Sequence, residues 1–148
     1  MASCSRNSNN GGGDDESKKA CTPCHSMDPS SLLSDEQIEE RLSSSPALAA
    51  WKLVDGPPNK LSFSFVAKSF QAAMDSLNAV GAIAEREQHH PDFHLTSYRN
   101  VEIVIYTHKV NGITENDLAL AEMISKQVPI DYSPKWLKDH PEAATAAS

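Results

Sequence analysis

The chain reads as an α+β domain, a four-stranded antiparallel sheet with helices packed on one face, in the order α-β-β-α-β-β-α. Three observations predict it. Leu61, Phe63 and Phe65 alternate with serines, as a half-buried strand requires. Apolar residues then take up helical spacing from about residue 67 to about residue 87. Short turn segments, too brief to hold a crossover helix, join the strand-like runs within each pair, so the strands must run antiparallel. Such a sheet keeps one face for the core and leaves the other to water, unless a second subunit covers it. Val104 and Tyr106, a second apolar set opposite Val101, Ile103 and Ile105, predict such covering.

With 148 residues, 39% of them hydrophobic, the chain is sized for one domain with a modest core. Residues 1–31 are rich in Ser, Asn, Gly, Asp and Lys, with too little apolar surface to offset the entropy of ordering, and are expected to form a flexible arm. A domain is expected over 32–128 and a C-terminal extension over 129–148. Order begins where Ser34 can cap a helix, Gln37 can reach back to it, and Leu33 and Ile38 have the spacing of a hydrophobic staple. That helix runs to about Leu42 and ends in Ser43-Ser44-Ser45-Pro46. Trp51-Lys52-Leu53-Val54 and Leu61 to Phe65 form two strands around the turn Asp55-Gly56-Pro57-Pro58-Asn59-Lys60.

Phe70, Ala73, Met74, Leu77 and Val80 give the central helix its apolar side, and His89-His90-Pro91 breaks it. Phe93 to Tyr98 and Val101 to His108 read as a hairpin through a tight Arg99-Asn100 connection. Asn111-Gly112 turns the chain, and Thr114 can cap a third helix with Asp117 at its third position. Leu118, Ala121 and Ser125, flanked by Leu120 and Ile124, line that helix, and Pro129 stops it. In the extension, Tyr132, Trp136 and Leu137 predict that the first half docks, while the run from Pro141 predicts a frayed end.

The formal net charge of -7, with no basic run longer than Lys18-Lys19, lacks the footprint that nucleic-acid or anionic-membrane binding needs. No stretch approaches the roughly 18 apolar residues of a membrane span, and the first residues hold no apolar signal core. A cytoplasmic protein is expected, with an organelle or the nucleus left open. Cys4, Cys21 and Cys24 all precede the domain, so no disulfide framework can hold it together.

Four of the six histidines, His89, His90, His94 and His108, fall within 20 residues across one helix-to-hairpin unit. Histidine gives or takes a proton near neutral pH, so imidazoles converging on one cavity suit acid/base chemistry. His89 and His90 follow the helix end, and His108 ends the neighbouring strand, so the three can meet at one end of the sheet. Glu85 lies one helical turn before His89 and could orient its imidazole; Asp117 could do so from the other side. Taken singly, Glu85 reads as an exposed helix residue and Asp117 as a cap, and strand alternation turns His94 away from the others.

The segment Glu85-Arg86-Glu87-Gln88-His89-His90-Pro91-Asp92-Phe93-His94-Leu95-Thr96-Ser97-Tyr98, followed by Thr107-His108 and Asp117, resembles the signature of the pterin-4a-carbinolamine dehydratases. The similarity runs from about Trp51 through Lys126, and the Cys21-Thr22-Pro23-Cys24 block resembles bacterial and plant-type members. The resemblance implies helices on one side of a four-stranded antiparallel sheet and dehydration of a 4a-hydroxytetrahydropterin to the quinonoid dihydropterin, in tetrahydrobiopterin recycling. It implies His89 and His108 as the acid/base pair, with His90 completing the catalytic set and positioning the pterin. His89, His90, Pro91, Thr107, His108, Lys109 and Val110 would line the substrate pocket, with Glu85 and Asp117 in support. It implies no metal or other cofactor, and a homodimer or homotetramer. Two departures bear on pocket shape: six residues separate Pro91 from Tyr98, and Phe93 stands where many members have Trp.

Other readings compete. Cys21-Thr22-Pro23-Cys24-His25 matches the haem-attachment pattern C-x-x-C-H and half of a zinc site, but no second C-x-x-C and no leading strand accompany it. The histidine cluster could instead hold zinc or iron, although such a hydrolytic centre usually brings a carboxylate base into the metal shell. A protein-binding role is the third reading, because animal members of the family serve as dimerisation cofactors of a homeodomain transcription factor.

Overall fold

The structure, a computed structural model, describes residues 28–146. Of the arm expected over 1–31, residues 1–27, with Cys4, Cys21 and Cys24, lie outside the described residues, while Pro29–Ser31 form a short 3-10 helix capped by Asp28. Helix α1 spans Asp35–Ser44, with Gln37 N–H donating to Ser34 Oγ and Ser34 N–H to Gln37 Oε1, the reciprocal cap the sequence predicts. Strands β1 (Lys52–Val54) and β2 (Lys60–Val66) form the first hairpin; helix α2 (Phe70–Glu87) follows, then strands β3 (Asp92–Thr96) and β4 (Asn100–Ile105), and helix α3 (Glu115–Gln127). The sheet order is β1-β2-β4-β3, antiparallel throughout.

Register explains the core. Leu61 pairs with Ile105, Phe63 with Ile103 and Phe65 with Val101, so the alternating apolar residues of both central strands face the same side. Against that side lie Ala73, Leu77, Val80 and Ile83 of α2 and Leu118, Leu120, Ala121 and Ile124 of α3, all buried in one cluster. Phe63 sits between Trp51 and Phe65, with ring centroids 5.4 and 5.2 Å away, and Trp51 Nε1–H donates to Ser125 Oγ of α3 at 2.9 Å. Arg41 of α1 grips Glu115 with one nitrogen at 3.0 and 2.9 Å from its two oxygens, an exposed contact worth at most about 1 kcal/mol. The fold therefore rests on burial.

Three local expectations change. Phe70, assigned to the apolar side of the central helix, opens α2 and is 53% exposed, because Ser69 caps the helix just before it and the core begins at Ala73. The β3–β4 turn is centred on Ser97 and Tyr98, both left-handed with φ of 46° and 56°, and not on Arg99-Asn100. The aromatic that reads as strand thus occupies a loop tip. Strand β4 ends at Ile105, and His108 opens a short 3-10 turn, His108–Val110, that left-handed Asn111 closes. Backbone bonds between Thr107 and Gly112, at 2.8 and 3.3 Å, clamp that turn to the strand end.

The C-terminal segment is ordered by the far end of the sheet. Tyr132 bridges to Ala67, Ser133 N–H donates to Val66 C=O at 2.8 Å, and two short helices follow, α4 (Pro134–Asp139) and α5 (Pro141–Ala146). Tyr132 meets the Phe65 ring edge-on at 5.6 Å, stacks on Trp136 at 5.2 Å, and Trp136 stacks on His140 at 4.1 Å. Burial pushes the Tyr132 hydroxyl up to about 12. Among the described residues no helix is long and apolar enough to cross a membrane.

Truncating Phe63 to Ala removes a ring enclosed on all sides, and is expected to cost about 3–5 kcal/mol in urea unfolding. Phe70→Ala, on an exposed ring, is expected to stay within about 0.5 kcal/mol of wild type.

Candidate active site

One end of the sheet gathers the chemistry-bearing residues. Asp92, the first residue of β3, pairs with Val104 near the end of β4, so the segment entering β3 and the segment leaving β4 lie side by side. Helix α2 stops because Gln88 turns left-handed at φ 56° and ψ 37°, with Gln88 N–H and His89 N–H both donating back to the carbonyl of Ala84. That reversal sends His89 inward, where it is 1% exposed.

The His89 imidazole donates its Nε2–H to Asp117 Oδ1 at 2.6 Å, and Asp117 itself is fully buried. A carboxylate without water needs several donors. Asp117 Oδ2 accepts the backbone N–H of Thr114 and the hydroxyl of Thr107, both at 2.8 Å, and Thr107 and Thr114 hydroxyls lie 3.1 Å apart. The sequence expectation of a cap is thus joined to the expectation of a histidine partner: Asp117 caps α3 with one oxygen and holds His89 with the other.

Glu85 differs from the expectation. It orients not His89 but His90, whose Nε2 lies 2.8 Å from Glu85 Oε2. The left-handed residue at 88 breaks the helical spacing that would have stacked Glu85 against His89, and the chain returns over the last turn only one residue later. This pair is half open to water, with the Glu85 carboxylate the more exposed member.

His108 has a third kind of partner. Its Nδ1 lies 3.3 Å from the Tyr106 hydroxyl, and the two rings are 4.3 Å apart at 42°. Desolvation first, and also the positive charge of Lys60, hold the His108 imidazole below the usual histidine value. Lys109 and Val110 share its 3-10 turn, and Pro91 follows His90 into β3. The three imidazoles therefore stand at one end of the sheet, each on its own partner. His94 projects from the sheet face away from the helices, paired across the strands with Glu102.

A cavity of about 210 Å³ opens on that outer face, lined by Val54, Lys60, Ser62, Asp92, His94, Glu102 and Val104. It holds none of His89, His90 or His108. Among the described residues, no three His, Cys, Asp or Glu side chains are grouped so as to hold a metal ion. Tyr106 and Lys60 escape the sequence reading as site residues. Their only signal was position, since Tyr106 stands two residues before His108 and so faces the same side of the chain.

Residues 31–127 match the family described as pterin 4 alpha carbinolamine dehydratase, a span that also takes in α1. A mitochondrial protein of Arabidopsis thaliana named pterin-4-alpha-carbinolamine dehydratase 2 is 39% identical over 111 residues, 74% of this chain. The chain spans 57% of that relative's length. A Chlorobaculum tepidum protein under the same family name is 38% identical over 111 residues, covering 74% of this chain and 95% of the relative. Among solved structures, a Brucella melitensis protein described as a transcriptional coactivator/pterin dehydratase aligns with a TM-score of 0.56 at 30% identity, over 63% of this chain and 94% of that one.

Asp117→Asn places an amide N–H₂ or a carbonyl where two acceptor oxygens stood. Stability in urea is expected to fall by about 1–3 kcal/mol, through the buried donors left unmatched. Nitrogen-15 shifts of His89 are expected to report the loss of the Nε2–H tautomer; an unchanged tautomer would deny that Asp117 sets it.

Proposed function

The chain belongs to the pterin-4-alpha-carbinolamine dehydratase family, and we propose that it is a hydro-lyase acting on a 4a-hydroxytetrahydropterin, with imidazoles as general acid and base. The observation that carries the assignment of roles is the buried His89–Asp117 pair. In the reaction the carbon–oxygen bond at C4a breaks, the leaving oxygen takes up a proton and departs as water, and a ring nitrogen loses a proton as the carbon–nitrogen double bond forms. One proton enters, one leaves, and no electron is transferred. Two side chains that titrate near neutrality suffice.

The carboxylate of Asp117 can only accept, so it holds the proton of His89 on Nε2 and assigns proton exchange to Nδ1. His89 is thereby cast as the base. His108, whose charged form is disfavoured by its surroundings, is the stronger acid once protonated and is cast as the donor to the leaving hydroxyl. His90, steered by Glu85 and partly open to solvent, is cast as a contact to the pterin, with Pro91, Thr107, Lys109 and Val110 around the ring. The proposal includes a role in tetrahydrobiopterin recycling, in which the quinonoid product would re-enter reduction. A homodimer or homotetramer is part of the proposal: the open sheet face and the edges of β1 and β3 are the surfaces a second copy would cover.

The test is the spectroscopic decay of a synthetic 4a-hydroxytetrahydropterin. His89→Ala and His108→Ala are each expected to lower the catalysed rate by about 10²–10⁴-fold, and His90→Ala to raise KM more than it lowers kcat. Rates equal to wild type for the first two variants would overturn the acid/base roles. The Brucella protein's description as a coactivator supports a second reading, partner binding. A His89→Ala/His108→Ala protein that kept its full cellular role would favour it.

A further inference from the structure

Tyr106 lies on the sheet face away from the helices. The register that pairs Leu61 with Ile105 sets Lys60 directly across from it. The Lys60 ammonium stands 5.1 Å from the centre of the Tyr106 ring, which is 9% exposed and so held in one place. The same ring meets the His108 imidazole at 4.3 Å, and its hydroxyl reaches His108 Nδ1 at 3.3 Å. The 3-10 turn clamped by Thr107 and Gly112 folds His108 back over the residue two before it.

We propose that Tyr106 is a positioning residue for His108: its hydroxyl oxygen accepts the Nδ1–H, so that the proton passed to the substrate is always carried on Nε2. The proposal rests on the acid/base reading of His108 and adds the residue that aims it. An imidazolium bears N–H groups on both nitrogens, and the one not facing substrate needs an acceptor. A hydroxyl supplies it without a full negative charge, unlike the carboxylate that holds His89. After Nε2 gives up its proton, the Nδ1–H bond to Tyr106 persists, and the ring keeps its orientation through the cycle. Lys60 opposes the charged form from β2; His89 at the α2–β3 connection and Lys109 in the same turn are the other titratable groups near His108.

If the imidazolium of His108 is the acid, kcat/KM falls as pH rises through the value at which His108 of the free protein loses its proton, which its surroundings hold below the ordinary histidine value. Tyr106→Phe keeps the ring and removes the acceptor that favours the charged form, so the descending limb moves to lower pH by about one unit, with a roughly tenfold fall in kcat/KM on that limb. KM is expected to change less than about twofold. Lys60→Met removes an opposing charge, so the limb moves to higher pH, by about half a unit.

The experiment pairs these pH profiles with nitrogen-15 and carbon-bound proton titration of His108 in the substrate-free protein. Support consists of a neutral His108 protonated on Nδ1 in wild type, loss of that preference in Tyr106→Phe, and opposite displacement of the limb by the two variants. A wild-type His108 protonated on Nε2, or a Tyr106→Phe protein with unaltered titration and profile, overturns the proposal. A fully active His108→Ala protein would instead overturn the catalytic reading on which it rests, and the tautomer result would then judge the hydrogen bond alone.

Discussion

A carboxylate with no water must be surrounded by donors, and in this chain that requirement joins three separate pieces of backbone. Asp117 draws Thr107 from the end of β4, Thr114 from the start of α3 and His89 from beyond the end of α2. Removing any one donor leaves a buried charge short of partners, which is why the three segments are expected to hold their places together. The strand pairing brings those segments to the same end of the sheet, and the carboxylate sets their distance. Chemistry and architecture share one atom group there.

The two imidazoles proposed to move protons sit in contrasting surroundings. His89 is enclosed and faces an acceptor that carries a full charge; His108 stands at the surface on a neutral hydroxyl, with positive charge nearby. Environments that treat two like groups differently are how a site divides acid from base work. The contrast in surroundings follows from topology, since one residue follows a helix that packs on the inner face and the other leaves a strand toward the outer one.

Much of this was legible in the chain itself. The serine alternation around Phe63, the Ser34–Gln37 reciprocal cap and the Thr114–Asp117 spacing each encode a local hydrogen-bond or burial pattern that later packing only reinforces. What escaped depends on single backbone angles or on neighbours distant in sequence. A left-handed Gln88 shifts the Glu85 contact from His89 to His90, and no side-chain pattern announces it. Left-handed Ser97 and Tyr98 put the hairpin turn where β propensity argued for strand. Phe70 is apolar and correctly spaced yet exposed, because helix periodicity says which side a residue takes but not where the core begins. The Lys60–Tyr106 contact needs the cross-strand register, which only the assembled sheet provides.

The aromatic stack of Tyr132, Trp136 and His140 leans on Phe65 at the opposite end of the same central strands. The interior of the sheet separates this stack from the Asp117 network, and their hydrogen-bond partners do not overlap. Changes in the last twenty or so residues would therefore be felt in packing at that pole of the sheet, and not in the hydrogen bonds that hold the imidazoles at the other.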